Sequence, residues 1–133
     1  MKNYLIELNN SIKDSLKQLE KNNEKCLVVV NSNNILKGTL TDGDIRRAML
    51  RGADINTKIG KYIKKKPFYL KSKNLLNQKP QMNHAIKDAS KKIKDEHIDI
   101  IPLVDKNQKV IEIIMKNNFS KYLKNGNILK NVP

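Results

Sequence analysis

Apolar positions along the chain fall into two series with the same internal order. In the first, Ile12, Leu16 and Leu19 recur at intervals of four and three, the spacing of one helical face. Ser11 followed by Asp14 three residues later resembles a capping box with a shorter acid, so the helix starts there. A continuous apolar run, 26–30, then predicts a short buried strand. Polar residues 31–34 predict a turn, and 35–40 a second strand. A helix over 44–51 follows, closed by Gly52, because glycine just past a helix is a common terminator.

From Ala85 the pattern starts again. Ser11-Ile12-Lys13-Asp14 matches Ala85-Ile86-Lys87-Asp88, an offset of 74 residues without a gap. The offset pairs Lys17 with Lys91, Leu19 with Ile93, Val30 with Val104, Asn33 with Asn107 and Leu40 with Ile114. The second copy therefore predicts a helix with Ile86, Ala89 and Ile93 inward, a strand over 98–104, a turn over 105–108 and a strand over 109–114. A helix over 118–125, closed by Gly126, ends it. Short apolar segments, Tyr4-Leu5-Ile6 and Phe68-Tyr69-Leu70, predict an edge strand ahead of each copy. The fold class is α/β: two helix–strand–strand–helix repeats, residues 1–66 and 67–133. Neither can cover both sheet faces alone, so the two should pack together about a pseudo-twofold axis.

Composition narrows the function classes. The chain has 133 residues, and its one cysteine, Cys26, excludes an internal disulfide. The apolar runs of about five residues are far too short to cross a membrane. Glu7 interrupts the only apolar run near the start, leaving no signal-peptide core, and a cytoplasmic location follows as the expectation. The net charge of +14 would attract phosphates, nucleic acids or anionic membranes. Yet 24 Lys, 18 Asn and 16 Ile all have AT-rich codons, so codon bias with solvated lysines is the simpler reading of the charge, ahead of a selected anionic partner. The three arginines are different, because all lie between Arg46 and Arg51. A guanidinium fork suits phosphate or carboxylate, so Arg46 and Arg47 are candidate anion contacts or part of an ion-paired interface, with a chance cluster on a solvated helix as the bland alternative.

One motif carries chemistry. Gly38-Thr39-Leu40-Thr41-Asp42-Gly43-Asp44 runs from a strand end into a helix start, where free N–H groups and the helix dipole favour phosphate. Thr41 can donate to a phosphate oxygen, Asp44 can accept from two ribose hydroxyls, and Gly43 leaves room for approach. Read without a ligand, the same string is an ordinary helix start with Thr41 or Asp42 as cap.

The duplicated pattern resembles a tandem cystathionine-β-synthase (CBS) domain pair, or Bateman module, over residues 4–123. Ile101-Pro102-Leu103-Val104-Asp105 is close to that family's second-strand signature, and Thr41-x-x-Asp44 to its Ser/Thr-x-x-Asp ribose-phosphate motif. More narrowly, residues 38–47 look like the pair at the front of bacterial sugar-phosphate nucleotidyltransferases, of the guanylyltransferase type in nonulosonic (legionaminic-type) sugar activation. The resemblance implies a non-catalytic sensor of an adenine nucleotide (AMP, ADP or ATP) that forms a homodimer and regulates an attached nucleotidyltransferase domain. It implies phosphate at Thr41, ribose at Asp44, and the base near Tyr69, Leu70 and Ile98 with Thr39 beside it. The offset sets Met115 opposite Thr41 and Asn118 opposite Asp44, so the motif is lost in the second copy and one ligand site at most is expected.

Other constellations are set aside. Asp42-Gly43-Asp44 offers too few carboxylates for a divalent metal. His84 and His97 have no cysteine or acidic partner at metal spacing, and Cys26 reads as a core thiol. No nucleophile–base–orienter set can be assembled, so no catalysis is expected, and no metal or obligatory cofactor. Lys64-Lys65-Lys66-Pro67-Phe68-Tyr69 could stack single-stranded nucleic acid, but reads more simply as a lysine-rich connector ahead of an edge strand. The rival functions are a pure dimerisation scaffold with a vestigial site and a nucleic-acid binder driven by charge.

Overall fold

The first series folds as strand, helix, strand, strand, helix. Its elements are β1 (Leu5–Glu7), α1 (Ile12–Glu20), β2 (Cys26–Val30), β3 (Leu36–Thr41) and α2 (Asp42–Leu50). The structure, a computed structural model, describes residues 1–75 and 84–119. The chain divides into two units, Met1–Pro67 and Phe68–Pro133.

In the first unit β1 runs parallel to β2, and β2 antiparallel to β3, giving the order β1-β2-β3. Every residue of β2 is buried, which is why that segment reads as an unbroken apolar run rather than an alternation. Leu27 and Val29 face the core shared with Ile12 and Leu19 of α1 and Ile45 of α2. Complete burial of side chains of this size contributes about 1.5–3 kcal/mol each. The start of α1 is held by the Ser11–Asp14 capping box: Asp14 N–H donates to Ser11 Oγ at 3.1 Å, and Ser11 N–H to Asp14 Oδ2 at 3.0 Å. Its C-terminal end is held by Lys25, whose Nζ donates to the Leu19 and Asn22 carbonyls at 2.8 and 3.2 Å.

The second unit repeats the plan with β4 (Leu70–Lys71), α3 (His84–Glu96), β5 (Ile100–Val104) and β6 (Val110–Met115), in the sheet order β4-β5-β6. The 74-residue offset maps β2 onto β5 and β3 onto β6 end to end. It also maps the bulge at Val29/Val30 onto that at Leu103/Val104. The turns correspond atom for atom. Asn31 Oδ1 accepts from the Asn33 and Ile35 amides, and Asp105 Oδ1 from the Asn107 and Lys109 amides. Asn34 and Gln108 take the left-handed conformation at φ 64° and 67°, which Asn tolerates better than Gln. The edge strands follow a different offset. Ile6 pairs with Val29 and Leu70 with Leu103, so the second unit carries a longer connection between edge strand and helix.

Five sequence expectations are corrected. Leu16 does not face the core: it is 36% exposed, and Ser15 takes the inward position, its hydroxyl donating to the Ser11 carbonyl at 3.2 Å. The equivalent small residue, Ala89, is buried in the same way. α2 begins at Asp42 rather than Asp44, because Thr41 is the cap and Asp44 the third helical residue. β5 begins at Ile100 rather than Ile98, since α3 ends at Glu96 and His97 turns the chain at φ 55°. β3 and β6 each start one residue late, because the turns bond back through Ile35 and Lys109. The edge strand expected over 68–70 is displaced to Leu70–Lys71, with Phe68 packed on the core instead. The helix expected over 118–125 lies largely outside the described residues, as does Gly126.

Candidate functional site

The candidate site forms at the junction of β3 and α2. β3 pairs Leu40 with Leu27 and Thr41 with Cys26, and Leu40 enters the core. Strand alternation therefore puts Thr39 and Thr41 on the opposite face. Thr41 keeps extended backbone angles (φ −105°, ψ 165°) and the helix begins at the next residue. Its Oγ1 accepts from Asp44 N–H at 3.1 Å, while its own N–H donates to Asp44 Oδ2 at 2.9 Å. This reciprocal box satisfies two backbone donors that the first helical turn would otherwise leave open. As an acceptor in that bond, the Thr41 hydroxyl keeps its own hydrogen to donate outward.

The charges at this helix start are internally paired. Arg47 reaches Asp44 Oδ1 at 2.7 Å, and Arg46 reaches Asp42 Oδ2 at 3.1 Å. The Arg47 and Arg46 side chains are 61% and 72% exposed, and such pairs contribute about 0–1 kcal/mol. A phosphate could therefore compete for either guanidinium at small cost. The same guanidinium groups lie over Gly43, where an added Cβ would come within 3.2 Å of Arg47 Nη1. Asp44 retains 21% exposure, and each of its oxygens has a further lone pair for a hydroxyl donor.

Sequence reasoning missed the neighbour of Thr39. The extended backbone at Lys64 lies along the outer edge of β3. Thr39 N–H donates to the Lys64 carbonyl at 3.1 Å, and Lys64 N–H to the Thr39 carbonyl at 2.8 Å. Ile63 is buried in the core beside it. Any side chain at residue 38 would collide with the Lys64 carbonyl oxygen, so Gly38 is required there for close backbone approach. An isolated glycine inside a strand pattern was the signal that could have revealed this.

The remaining predicted residues belong to the second unit. Leu70 is buried in that unit's own core, Ile98 packs against the core, and Tyr69 is half-buried. Met115, in the position of Thr41, makes no side-chain cap bond, and a short 3-10 turn (Lys116–Asn118) begins where α2 begins in the first unit. Both residue types of the Thr41–Asp44 cap are therefore changed in the second unit, to Met115 and Asn118. Among the described residues no cluster of three potential metal ligands occurs. Among them, no helix is long and apolar enough to cross a membrane. Asp14, in the other capping box, has its carboxyl held below the usual range, chiefly by the Ser11 backbone N–H and then by the Ser11 side chain.

A duplicated strand–helix–strand–strand unit with a Thr-x-x-Asp helix start defines the class of protein to which comparison points. Residues 2–51 match the family model of the CBS domain, and the chain has the fold of a CBS domain pair. Over 110 residues it is 28% identical to an uncharacterized protein of Helicobacter pylori strain J99, covering 83% of this chain. A second Helicobacter pylori strain has a counterpart at 27% identity. The chain spans 31% of the length of these curated relatives. Among solved structures, the CBS domains of a transcriptional regulator from Streptococcus pneumoniae align with a TM-score of 0.68 at 19% identity, covering 90% of this chain and 89% of that one. CBSX2 in complex with AMP aligns at 0.66 and 18% identity, covering 88% and 84%. The cytosolic domain of the Mg2+ channel MgtE in complex with ATP aligns at 0.66 and 16% identity, covering 91% and 45%.

Proposed function

We propose that this chain is a regulatory, non-catalytic CBS pair that senses an adenine nucleotide through the Thr41–Asp44 helix start. Thr41 and the free N–H groups of the first turn of α2 receive phosphate. Asp44 receives the ribose hydroxyls, and Arg46 and Arg47 supply positive charge. Contacts to the base by Thr39, Tyr69, Leu70 and Ile98 rest on the family resemblance. The single observation that carries the reading is the partly exposed Asp44 carboxylate beside an exchangeable Arg47 at a helix N-terminus. AMP in one structural neighbour and ATP in another support the ligand class.

Regulation follows by population shift. A ligand that binds one arrangement of the chain more tightly favours that arrangement, and an attached domain responds to the change. Relatives of about three times the length support an attached domain. The string from Gly38 to Arg47 supports a sugar-phosphate nucleotidyltransferase as that domain. A cytoplasmic homodimer completes the proposal.

The test is thermal unfolding at near-physiological salt with AMP, ADP, ATP, GTP and a nucleotide sugar. Wild type is compared with Asp44→Ala and, as a capping control away from the site, Asp14→Ala. A ligand at a hundredfold its Kd adds about 2.7 kcal/mol, a shift of roughly 2–8 °C. The shift should survive in Asp14→Ala and vanish in Asp44→Ala. No shift with any nucleotide leaves the dimerisation scaffold as the better account. Binding to nucleic acid that falls steeply with salt and ignores Asp44 replaces the proposal with the charge-driven reading.

A further inference from the structure

The two units treat the outer edge of their third strand in different ways. In the first, Gly38 leaves space and the Lys64 backbone occupies both hydrogen-bonding groups of Thr39. The 74-residue offset sets Glu112 at the position of Gly38 and Ile113 at that of Thr39. The register agrees: Val28 pairs with Thr39, and Pro102 with Ile113. Ile113 N–H therefore points out of the sheet edge, away from Pro102, as Thr39 N–H points toward Lys64. Its partner is a side chain: Glu112 Oε1 accepts it at 3.0 Å.

A carboxylate in that place does two things. It satisfies a strand amide that has no other hydrogen-bond partner among the described residues, at a residue only 5% exposed. It also fills the space that a neighbouring backbone would need, since even a methyl group at the equivalent Gly38 would strike the incoming carbonyl. A charged side chain on an exposed strand edge is an established means of preventing edge-to-edge pairing. We infer that Glu112 is a carboxylate plug that closes the β6 edge to strand addition by a second copy of this chain.

The test uses the full chain in three forms: wild type, Glu112→Gly, which restores the space found at Gly38, and Glu112→Gln, whose amide oxygen still accepts from Ile113. Amide hydrogen exchange is followed at Ile113, with Ile101 and Leu103 as reporters of global stability. Association is followed by sedimentation over a concentration series. Ile113 should exchange about tenfold faster or more in Glu112→Gly than in wild type, and slowly in Glu112→Gln. Only Glu112→Gly should gain mass with concentration beyond the wild-type species. Equal exchange at Ile113 in wild type and Glu112→Gly overturns the plug, as does an unchanged association state. Should the glycine variant fail to fold, the wild type still decides. An Ile113 amide exchanging at the rate of an unstructured peptide rules the bond out.

Discussion

Thr41 and Asp44 hold each other. Two hydrogen bonds of 2.9 and 3.1 Å run between the backbone of each and the side chain of the other. The pair assigned to phosphate and ribose is thus also the pair that starts α2. Removing either residue damages the helix start and the proposed ligand site together, so loss of binding in one variant proves little by itself. Ser11 and Asp14 form the same box at α1, with bonds of 3.0 and 3.1 Å, and supply the control.

Thr41→Ala and Ser11→Ala should each lose about 1 kcal/mol of stability, the ordinary cost of an N-cap side chain. Chemical denaturation measures both losses. Nucleotide titration then separates them: Ser11→Ala should bind as wild type, and Thr41→Ala should bind at least tenfold more weakly. Equal affinity in the two variants would remove Thr41 from the site.

Arg47→Ala isolates charge from fold. Arg47 is exposed and its pair with Asp44 contributes about 0–1 kcal/mol, so unfolding should change little. Affinity for a phosphate-bearing ligand should fall, and the salt dependence of binding should become shallower. A variant that binds AMP with unchanged affinity and unchanged salt dependence would show that Arg47 serves only the helix.

The capping box of α1 also predicts an acid response. The Asp14 carboxyl is held below its usual value of 3.8, first by the Ser11 backbone N–H. A depressed folded-state value means that the contribution is present above the unfolded value and lost as pH falls through the folded one. Unfolding midpoints recorded between about pH 6 and 2.5 should therefore fall more steeply for wild type than for Asp14→Asn, with the curves converging at the acid end. Parallel curves would show that Asp14 ionisation is not linked to folding.

Much of this fold was legible because the chain states it twice. The offset of 74 found in side chains reappears in strand ends, bulges and left-handed turn residues. Those features depend on local backbone demands that both copies share. What the sequence concealed depends on tertiary partners. Leu16 fits the helical stripe, but the small Ser15 is the residue that the sheet admits. Lys64 reads as one lysine in a basic run, although its backbone rather than its charge positions it. At the candidate site, the residue types and their spacing were readable. The mutual bonding of Thr41 and Asp44, and the pairing of both arginines, required coordinates.

Two glycines within six residues should respond oppositely to alanine. At Gly38 an added Cβ meets the Lys64 carbonyl and the Ile63 side chain, both fixed by the sheet edge and the core. The edge must separate or the backbone bonds to Thr39 must lengthen, at a cost of about 1–3 kcal/mol. At Gly43 the atoms nearest the same Cβ are the ends of Arg47 and Arg46, which are exposed and can turn away. Alanine also favours a helix over glycine by about 0.8–1 kcal/mol, so Gly43→Ala should be neutral or stabilising in denaturant. Its binding should nevertheless weaken, because the methyl group occupies the approach to the α2 N-terminus. A Gly43→Ala variant that is stable yet binds less nucleotide would tie that glycine to the ligand. One that is stable and binds as wild type would move the ligand elsewhere.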